Sequence, residues 1–193
     1  MPTLSLSANT VQEALDRADA RHWTRNPPRS PRARLAFLLR KNGGDRALLA
    51  TRLQTTPQAL KTFIRQSGDA ENSPLQQAVE REVIRLWQPR IRRRAHATIL
   101  HNNGQMMVSF RAWLGFTAAA GSSDDPRLRT LTLSLHSSHV EALFSARHRG
   151  APEPELLAIL SHALSACYFH RNRPQGTAEK VRIERIDYLE FYF

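Results

Sequence analysis

The pattern of hydrophobic and polar positions changes near Met106. Before it, apolar residues recur three and four positions apart, the spacing of one helix face. Polar N-cap residues and prolines mark where successive helices should begin: Thr10, Asp45, Thr56-Pro57 and Ser73-Pro74. The last of these opens a long amphipathic helix with Val79, Val83 and Leu86 on its apolar stripe. Pro89 should kink that helix, and need not end it.

From Met106 the period becomes two, the spacing of a strand with one buried face. Residues 106–116 predict one strand, 131–135 another and 181–193 a third, with two short helices, separated at Gly150, before the last. The chain is therefore predicted to be α+β, a helical N-terminal part followed by a small mixed sheet with two helices. A strand followed by two helices is also the order of a ribbon-helix-helix unit. We favour an ordinary strand, paired with the other two.

The positive charge lies almost entirely in the first half of the chain. Residues 1–103 hold 18 Lys/Arg against 8 Asp/Glu, a net charge of +10, whereas residues 104–193 hold 10 against 9, a net charge of +1. Charge placed in this way favours a polyanion partner, because each neutralised phosphate releases counterions. Nearly all the basic residues are arginines, which bind phosphate bidentately, although a GC-rich genome also raises arginine content.

Residues 45–66 have the spacing of a helix-turn-helix. Ala50 would be the small residue where the two helices touch, and Leu53 the buried residue before the turn. The exposed face of the second helix would carry residues able to reach base edges or phosphates: Gln58, Lys61, Thr62 and Arg65. The turn position that often holds glycine is Gln54, at a cost of about 1 kcal/mol. The alternative is a plain helical hairpin with a basic face.

Four arginines follow Pro89 within five positions: Arg90, Arg92, Arg93 and Arg94. They cannot all lie on one side of a helix, so some must face solvent or phosphate. Beside a helix-turn-helix, the run predicts phosphate contacts, which provide affinity and register without sequence choice. The alternative is a solvated charged face.

Signatures of a self-contained enzyme or metal site do not stand out. The chain has no glycine-rich phosphate loop, nucleophile elbow or paired-carboxylate motif, so no independent enzyme is expected. His136 and His139 are three residues apart but lack a third ligand, and we predict no metal. The single cysteine, Cys167, excludes an intramolecular disulfide and is typical of a buried small hydrophobe. The absence of a signal peptide or long apolar run predicts a cytoplasmic protein without a membrane partner.

Covalent chemistry, if the chain has any, would lie in the predicted turn at 121–125. The turn offers hydroxyls followed by carboxylates, with one more hydroxyl just before it: Ser122, Ser123, Asp124, Asp125 and Thr117. A hydroxyl that attacks the α-phosphate of a nucleotide needs exposure and metal-binding carboxylates, which a polymerase often supplies. The alternative is an ordinary loop with a helix or strand cap.

Five blocks of the sequence carry a resemblance to a known family: Val79 to Arg94, Trp113-Leu114-Gly115-Phe116-Thr117, Gly121-Ser122-Ser123-Asp124-Asp125, Arg127 to Leu135 and Tyr188-Leu189-Glu190-Phe191. They resemble the telomere-protecting terminal proteins (Tpg) of linear actinobacterial, Streptomyces-type, chromosomes and plasmids. The resemblance covers roughly residues 33–193. It implies a protein bound covalently to the 5′ ends of a linear replicon, whose hydroxyl accepts the first nucleotide before a polymerase patches the recessed end.

The resemblance also implies a linking residue and partners. The family's linking threonine aligns with Ser123, where serine keeps the hydroxyl and loses only the γ-methyl group; Thr117 is the second match. Asp124 and Asp125 would support the site. The implied partners are telomeric DNA, a telomere-binding recruiting protein and a DNA polymerase, and a homodimer is compatible with them. No cofactor would be bound tightly, and Mg²⁺ would arrive with the polymerase and nucleotide. The protein would be nucleoid-associated at replicon ends.

The sequence therefore predicts three segments. Residues 1–30 form an N-terminal extension, residues 31–103 a basic DNA-binding domain with a helix-turn-helix and a long kinked helix, and residues 104–193 an α+β priming domain. The predicted function is protein priming of telomere end patching, together with telomere capping. The alternative is a non-covalent helix-turn-helix DNA-binding regulator or partition-type protein.

Overall fold

A computed structural model of the protein describes residues 8–65, 73–116, 126–169 and 181–193. The α helices in these ranges are α1 (Val11–Ala20), α2 (Pro31–Lys41), α3 (Arg46–Arg52), α4 (Pro57–Arg65), α5 (Pro74–Leu86), α6 (Pro89–His101), α7 (Ser137–Arg149) and α8 (Glu153–Leu164). The strands are β1 (Met106–Phe116), β2 (Arg127–Leu135) and β3 (Val181–Tyr192), and a π-helical turn spans Ser165–Phe169. The predicted α+β class is confirmed.

The chain divides into two compact units. The helical unit is Thr24–Pro89, and the sheet unit combines residues 8–23 with Arg90–Phe193. This division differs from the predicted boundaries at residues 30 and 103. The physical reason is that α1 buries Val11 and Leu15 in the core of the sheet unit, while Ile99 and Leu100 of α6 pack against the same core. The first helix and the arginine run therefore both belong with the sheet.

The sheet has the strand order β2-β1-β3, and β1 is antiparallel to both neighbours. The prediction of a mixed sheet is wrong. Although β2 and β3 run in the same direction, β1 lies between them, so these strands form no parallel pair. The ribbon-helix-helix alternative is not supported, because β2 pairs along its length with β1 of the same chain, from Leu135 opposite Met106 to Arg127 opposite Leu114.

The period-two pattern of β1 corresponds to one buried face. Its inward side chains are almost fully buried: Met106, Val108, Phe110, Ala112 and Leu114. They pack in one core with Phe144 of α7, Leu160 of α8 and Phe191 of β3. The opposite face of the sheet is more open, where Met107 is 45% and Tyr192 is 40% exposed. This burial confirms the strand prediction.

The helical unit has its own core, built from α2, α3, α4 and α5. Its buried side chains include Leu38, Leu49, Leu60, Val79 and Val83. The predicted N-caps form, because the side chains of Asp45, Thr56 and Ser73 each accept backbone N–H groups from the first turn of the helix that follows. No helix in the described ranges is long and apolar enough to cross a membrane.

The predicted long kinked helix is wrong, because α5 ends at Leu86 and α6 begins at Pro89. Between them, Trp87 is extended, with ψ 132°, and Gln88 has φ +41°. Proline removes a helical hydrogen bond and disfavours helical backbone in the residue before it. The indole of Trp87 also donates a hydrogen bond to the carbonyl of Arg25 at 3.0 Å, a tertiary contact that stabilises the break.

Candidate nucleic-acid interface

A tight turn joins α3 to α4. Gln54 has φ +52°, the left-handed conformation that usually favours glycine, and it is the residue to which the sequence spacing assigned this role. The backbone N–H of Thr55 donates to the carbonyl of Ala50 at 2.9 Å, which ends α3. The hydroxyl of Thr56 accepts the N–H of Ala59 at 3.1 Å, which begins α4. The two helices are thereby held as a compact pair.

The polar side of α4 faces solvent. Every residue that the sequence analysis assigned to this face is exposed: Gln58, Lys61, Thr62 and Arg65. On the other side Leu60 is only 3% exposed, and Phe63 and Ile64 pack against the core of the helical unit. The hydroxyl of Thr62 donates to the carbonyl of Gln58 at 3.1 Å and keeps its lone pairs free to accept. The helix therefore presents a row of hydrogen-bond donors and acceptors to solvent, while its opposite side packs against the core of the helical unit.

Both carboxylates of α5 are used in ion pairs within the helical unit. Glu80 binds Arg34 at 2.9 Å, and Glu82 binds Arg52 at 2.5 Å and Arg85 at 2.7 Å. The hydrogen bond to Glu82 raises the pKa of Arg85 above its ordinary value. Within the described ranges, the two cations of α4 have no such carboxylate partner. The helical unit carries 12 Lys/Arg against 5 Asp/Glu, and α4 presents part of this excess to solvent.

The structure separates the four arginines of α6. Arg90, Arg93 and Arg94 are exposed, whereas the side chain of Arg92 is only 12% exposed. Its Nε atom lies 3.9 Å from Oδ2 of Asp19 in the sheet unit. Three of the predicted phosphate contacts are therefore accessible, and Arg92 is directed towards the protein interior, where it balances a buried carboxylate.

A buried polar cluster surrounds Asp19, and the sequence analysis did not predict it. Asp19 contacts His96 at 2.6 Å and Arg147 at 3.8 Å, and Asp16 forms a second ion pair with Arg147. Burial lowers the pKa of Arg147 to about 10, so the guanidinium is still protonated at neutral pH. The ring of His96 also stacks on Phe144, with centroids 3.6 Å apart. No sequence signal links these residues, because separate helices, distant in the sequence, contribute them.

An aromatic and basic cleft of about 440 Å³ lies in the helical unit near the end of α5. Its aromatic members, Phe37 and Trp87, make an edge-to-face contact with centroids 5.3 Å apart. The Arg40 guanidinium carbon lies 6.0 Å and the Lys41 ammonium 5.7 Å from the centre of the Phe37 ring. Arg25 also lines the cleft. Cations around aromatic rings suit the phosphates and bases of nucleic acid.

The predicted priming residues lie outside the described residues. Ser123, the second match Thr117, and the supporting Asp124 and Asp125 all fall in the interval 117–125.

Three described surfaces suit a polyanion, each by a different feature. The polar side of α4 is a row of hydrogen-bonding groups, the exposed part of the α6 run is a group of arginines, and the cleft combines aromatic rings with cations. All are basic and face solvent. Comparisons with protein-family models, curated proteins and solved structures gave no match to this chain.

Proposed function

We propose that the protein binds duplex DNA through α3 and α4, used as a helix-turn-helix with α4 as the recognition helix. The observation that carries this proposal is that the polar residues of α4 are all exposed while Leu60, on the opposite side, is buried. The left-handed Gln54 supports it, since a helix-turn-helix needs a sharp turn at this position.

The side chains of α4 suggest a division of roles. Gln58 and Thr62 can exchange hydrogen bonds with base edges in the major groove, where each base pair has its own donor and acceptor pattern. Lys61 and Arg65 supply charge for phosphates or for guanine. Arg93 and Arg94 would add phosphate contacts that contribute affinity without sequence preference. The cleft at Phe37 and Trp87 is not needed for this binding.

We further propose that this DNA-binding chain is a terminal protein, on the strength of its sequence resemblance to the Tpg family. In the priming step, Oγ of Ser123 attacks the α-phosphorus of a deoxynucleoside triphosphate. A serine–phosphate ester forms, the bond between the α- and β-phosphates breaks, and pyrophosphate leaves. The hydroxyl proton passes to a base or to solvent, and the partner polymerase brings the Mg²⁺ that stabilises the developing charge. If the protein binds DNA but never carries a nucleotide, it is instead the non-covalent regulator.

Fluorescence anisotropy with labelled duplex DNA, at several salt concentrations, tests the DNA-binding proposal. Replacing Lys61 and Arg65 with alanine should weaken binding at every salt concentration. It should also reduce the slope of log affinity against log salt by roughly 0.9 for each phosphate that the variant no longer neutralises. Arg149→Gln is the matched control, because it removes an exposed arginine of α7. Equal weakening in both variants would refute a specific role for α4.

A further inference from the structure

Donor atoms typical of a transition-metal site come together in the sheet unit, although the sequence analysis predicted none. Ring nitrogens of His136 and His139 and the Sγ atom of Cys167 all lie within 4.8 Å of one another. Among the described residues, this is the one group of at least three His, Cys, Asp or Glu side chains gathered so closely. His162 stands next to the group, with its ring centroid 5.3 Å from that of His139.

His136 and His139 lie on one side of the first turn of α7. His136 is the N-cap residue of α7, and its side chain makes no capping hydrogen bond, so the imidazole is not needed to begin the helix. His139 follows three positions later, at the spacing that places side chains on the same helix surface. The two rings are stacked, with centroids 6.0 Å apart and planes 16° from parallel. Both imidazoles therefore reach the same region outside α7.

Cys167 arrives from a different element, the π-helical turn that follows α8. The turn is fixed by Ser165, whose hydroxyl donates to the carbonyl of Ser161 at 3.0 Å and accepts the N–H of Val181 at 3.0 Å. These contacts attach the turn to the first residue of β3, and all three residues are buried. Single π-helical turns occur often at functional sites. The thiol is thus held beside α7 by the fold.

We propose that His136, His139 and Cys167 bind one Zn²⁺ ion, with a water molecule in the fourth position. Zinc prefers tetrahedral sets of imidazole nitrogen and thiolate sulfur, whereas Mg²⁺ and Ca²⁺ prefer oxygen. Ligand atoms of a tetrahedral zinc site are roughly 3.3 to 3.7 Å apart, as follows from its bond lengths. The ligand atoms must therefore draw closer together when the ion binds. The site is independent of the DNA-binding and priming proposals.

Binding replaces the Sγ–H bond of Cys167 with an Sγ–Zn bond and releases the thiol proton to solvent. Co²⁺, which occupies zinc sites and absorbs visible light, is the probe. The full-length protein is stripped of metal with a chelator under reducing conditions and titrated with Co²⁺. We expect one equivalent to bind, with visible bands of tetrahedral intensity and a thiolate-to-cobalt charge-transfer band. One equivalent of Zn²⁺ should abolish these bands. Weak octahedral bands without a charge-transfer band would overturn the proposal.

Variants assign the ligands. Cys167→Ser should remove the charge-transfer band. His136→Asn and His139→Asn should each weaken Co²⁺ binding at least about tenfold, because a loss of this size is already typical when a residue that only hydrogen-bonds to a metal ligand is removed. His101→Gln is the matched control, an exposed histidine outside the group. Binding that survives Cys167→Ser with its charge-transfer band would refute the site. A loss of affinity in His162→Gln as large as in His139→Asn would refute the water in the fourth position. Circular dichroism confirms that each variant is folded.

Discussion

The Nε2 atom of His96 lies 2.6 Å from Oδ1 of Asp19, and both side chains are almost completely buried in the sheet unit. The other ring nitrogen of His96, Nδ1, lies 3.0 Å from Nε2 of His148. A neutral imidazole has one donor and one acceptor nitrogen. If Nε2 of neutral His96 donates to Asp19, Nδ1 must accept from His148. A hydrogen-bonded chain therefore leads from a buried carboxylate to an exposed imidazole.

The hydrogen bonds that connect Asp19, His96 and His148 predict that the free energy of unfolding depends on pH through His148. Its pKa is lowered, first by partial burial and then by the neighbouring His96, Arg92 and Arg93, with Asp19 opposing them. In the unfolded state the same ring titrates near its ordinary pKa of about 6.5. As the pH falls below that value, the unfolded state binds a proton that the folded state does not bind. The free energy of unfolding should therefore fall as the pH decreases from about 7 to about 5.

Urea denaturation at several pH values measures this effect. His148→Gln removes the titrating group, so its free energy of unfolding should depend less on pH in that interval than the wild-type value does. His101→Gln, which replaces an exposed histidine of α6, should retain the wild-type dependence. If His148→Gln and the wild type show the same slope, His148 does not have the lowered pKa in the folded protein.

The position of Asp19 between three basic side chains predicts a large effect of its removal. Asp19→Ala removes the carboxylate that binds His96, whereas Arg147 keeps its ion pair with Asp16. Leaving a buried polar group without its partner in this way costs about 1 to 3 kcal/mol. The comparison is Asp187→Ala, whose carboxylate is 31% exposed and lies 3.7 Å from Arg111 and 3.1 Å from Arg185. Exposed pairs contribute roughly 0 to 1 kcal/mol. Denaturation midpoints of the two variants should differ clearly, and equal destabilisation would contradict a special role for Asp19.

Local patterns predicted the elements of this fold better than their arrangement. The alternation from Met106 to Leu114 predicted a strand, because a two-residue period requires only that one face is buried. The start of α1 was also predictable, since Thr10 accepts the N–H of Glu13 three residues away. Where α1 packs in the fold was not predictable from the sequence. Its first N–H groups bind the carboxylate of Glu153, which is remote in sequence.

Tertiary contacts explain the other differences. Whether a proline kinks a helix or ends it depends on what its neighbours contact, and Trp87 is held by Phe37 and by the carbonyl of Arg25. The proximity of Cys167 to His136 is likewise a result of docking, because no spacing rule links a turn after α8 to the N-cap of α7. The predicted DNA-contacting face of α4 was accessible to sequence reasoning, since helical spacing alone separates it from Leu60.

The arginines of α6 provide a prediction that sequence spacing alone could not make. Arg93 and Arg94 are exposed, whereas Arg92 lies near Asp19. If the exposed pair contacts phosphates, replacing both with alanine should reduce the salt slope of DNA binding by roughly 1.8, at about 0.9 for each phosphate. Arg92→Ala should leave that slope unchanged and lower the denaturation midpoint. DNA titrations and urea melts of the same preparations measure both effects. A reduced slope in Arg92→Ala would show that Arg92 reaches DNA.

The last prediction tests the proposal that a hydroxyl of this chain accepts a nucleotide. Under the proposed priming function Ser123 is the expected attachment residue, because it aligns with the linking threonine of the terminal proteins that the sequence resembles and is followed directly by Asp124 and Asp125. A serine hydroxyl is a weak nucleophile at neutral pH and needs a base or a metal ion. Incubation with an α-phosphate-labelled deoxynucleotide, partner polymerase and telomeric template should label the wild type. Ser123→Ala should lose the label, and Ser123→Thr should keep it because the hydroxyl remains.

Ser122→Ala is the matched control, since it removes the neighbouring hydroxyl and should change labelling little. The adduct should be a phosphoester, released by alkali and removed from the DNA end by protease treatment. If Ser123→Ala is labelled normally while Thr117→Ala is not, the attachment belongs to Thr117 and the alignment is shifted by one motif. If the wild type itself carries no label while α4 still binds DNA, the chain is a non-covalent DNA-binding protein.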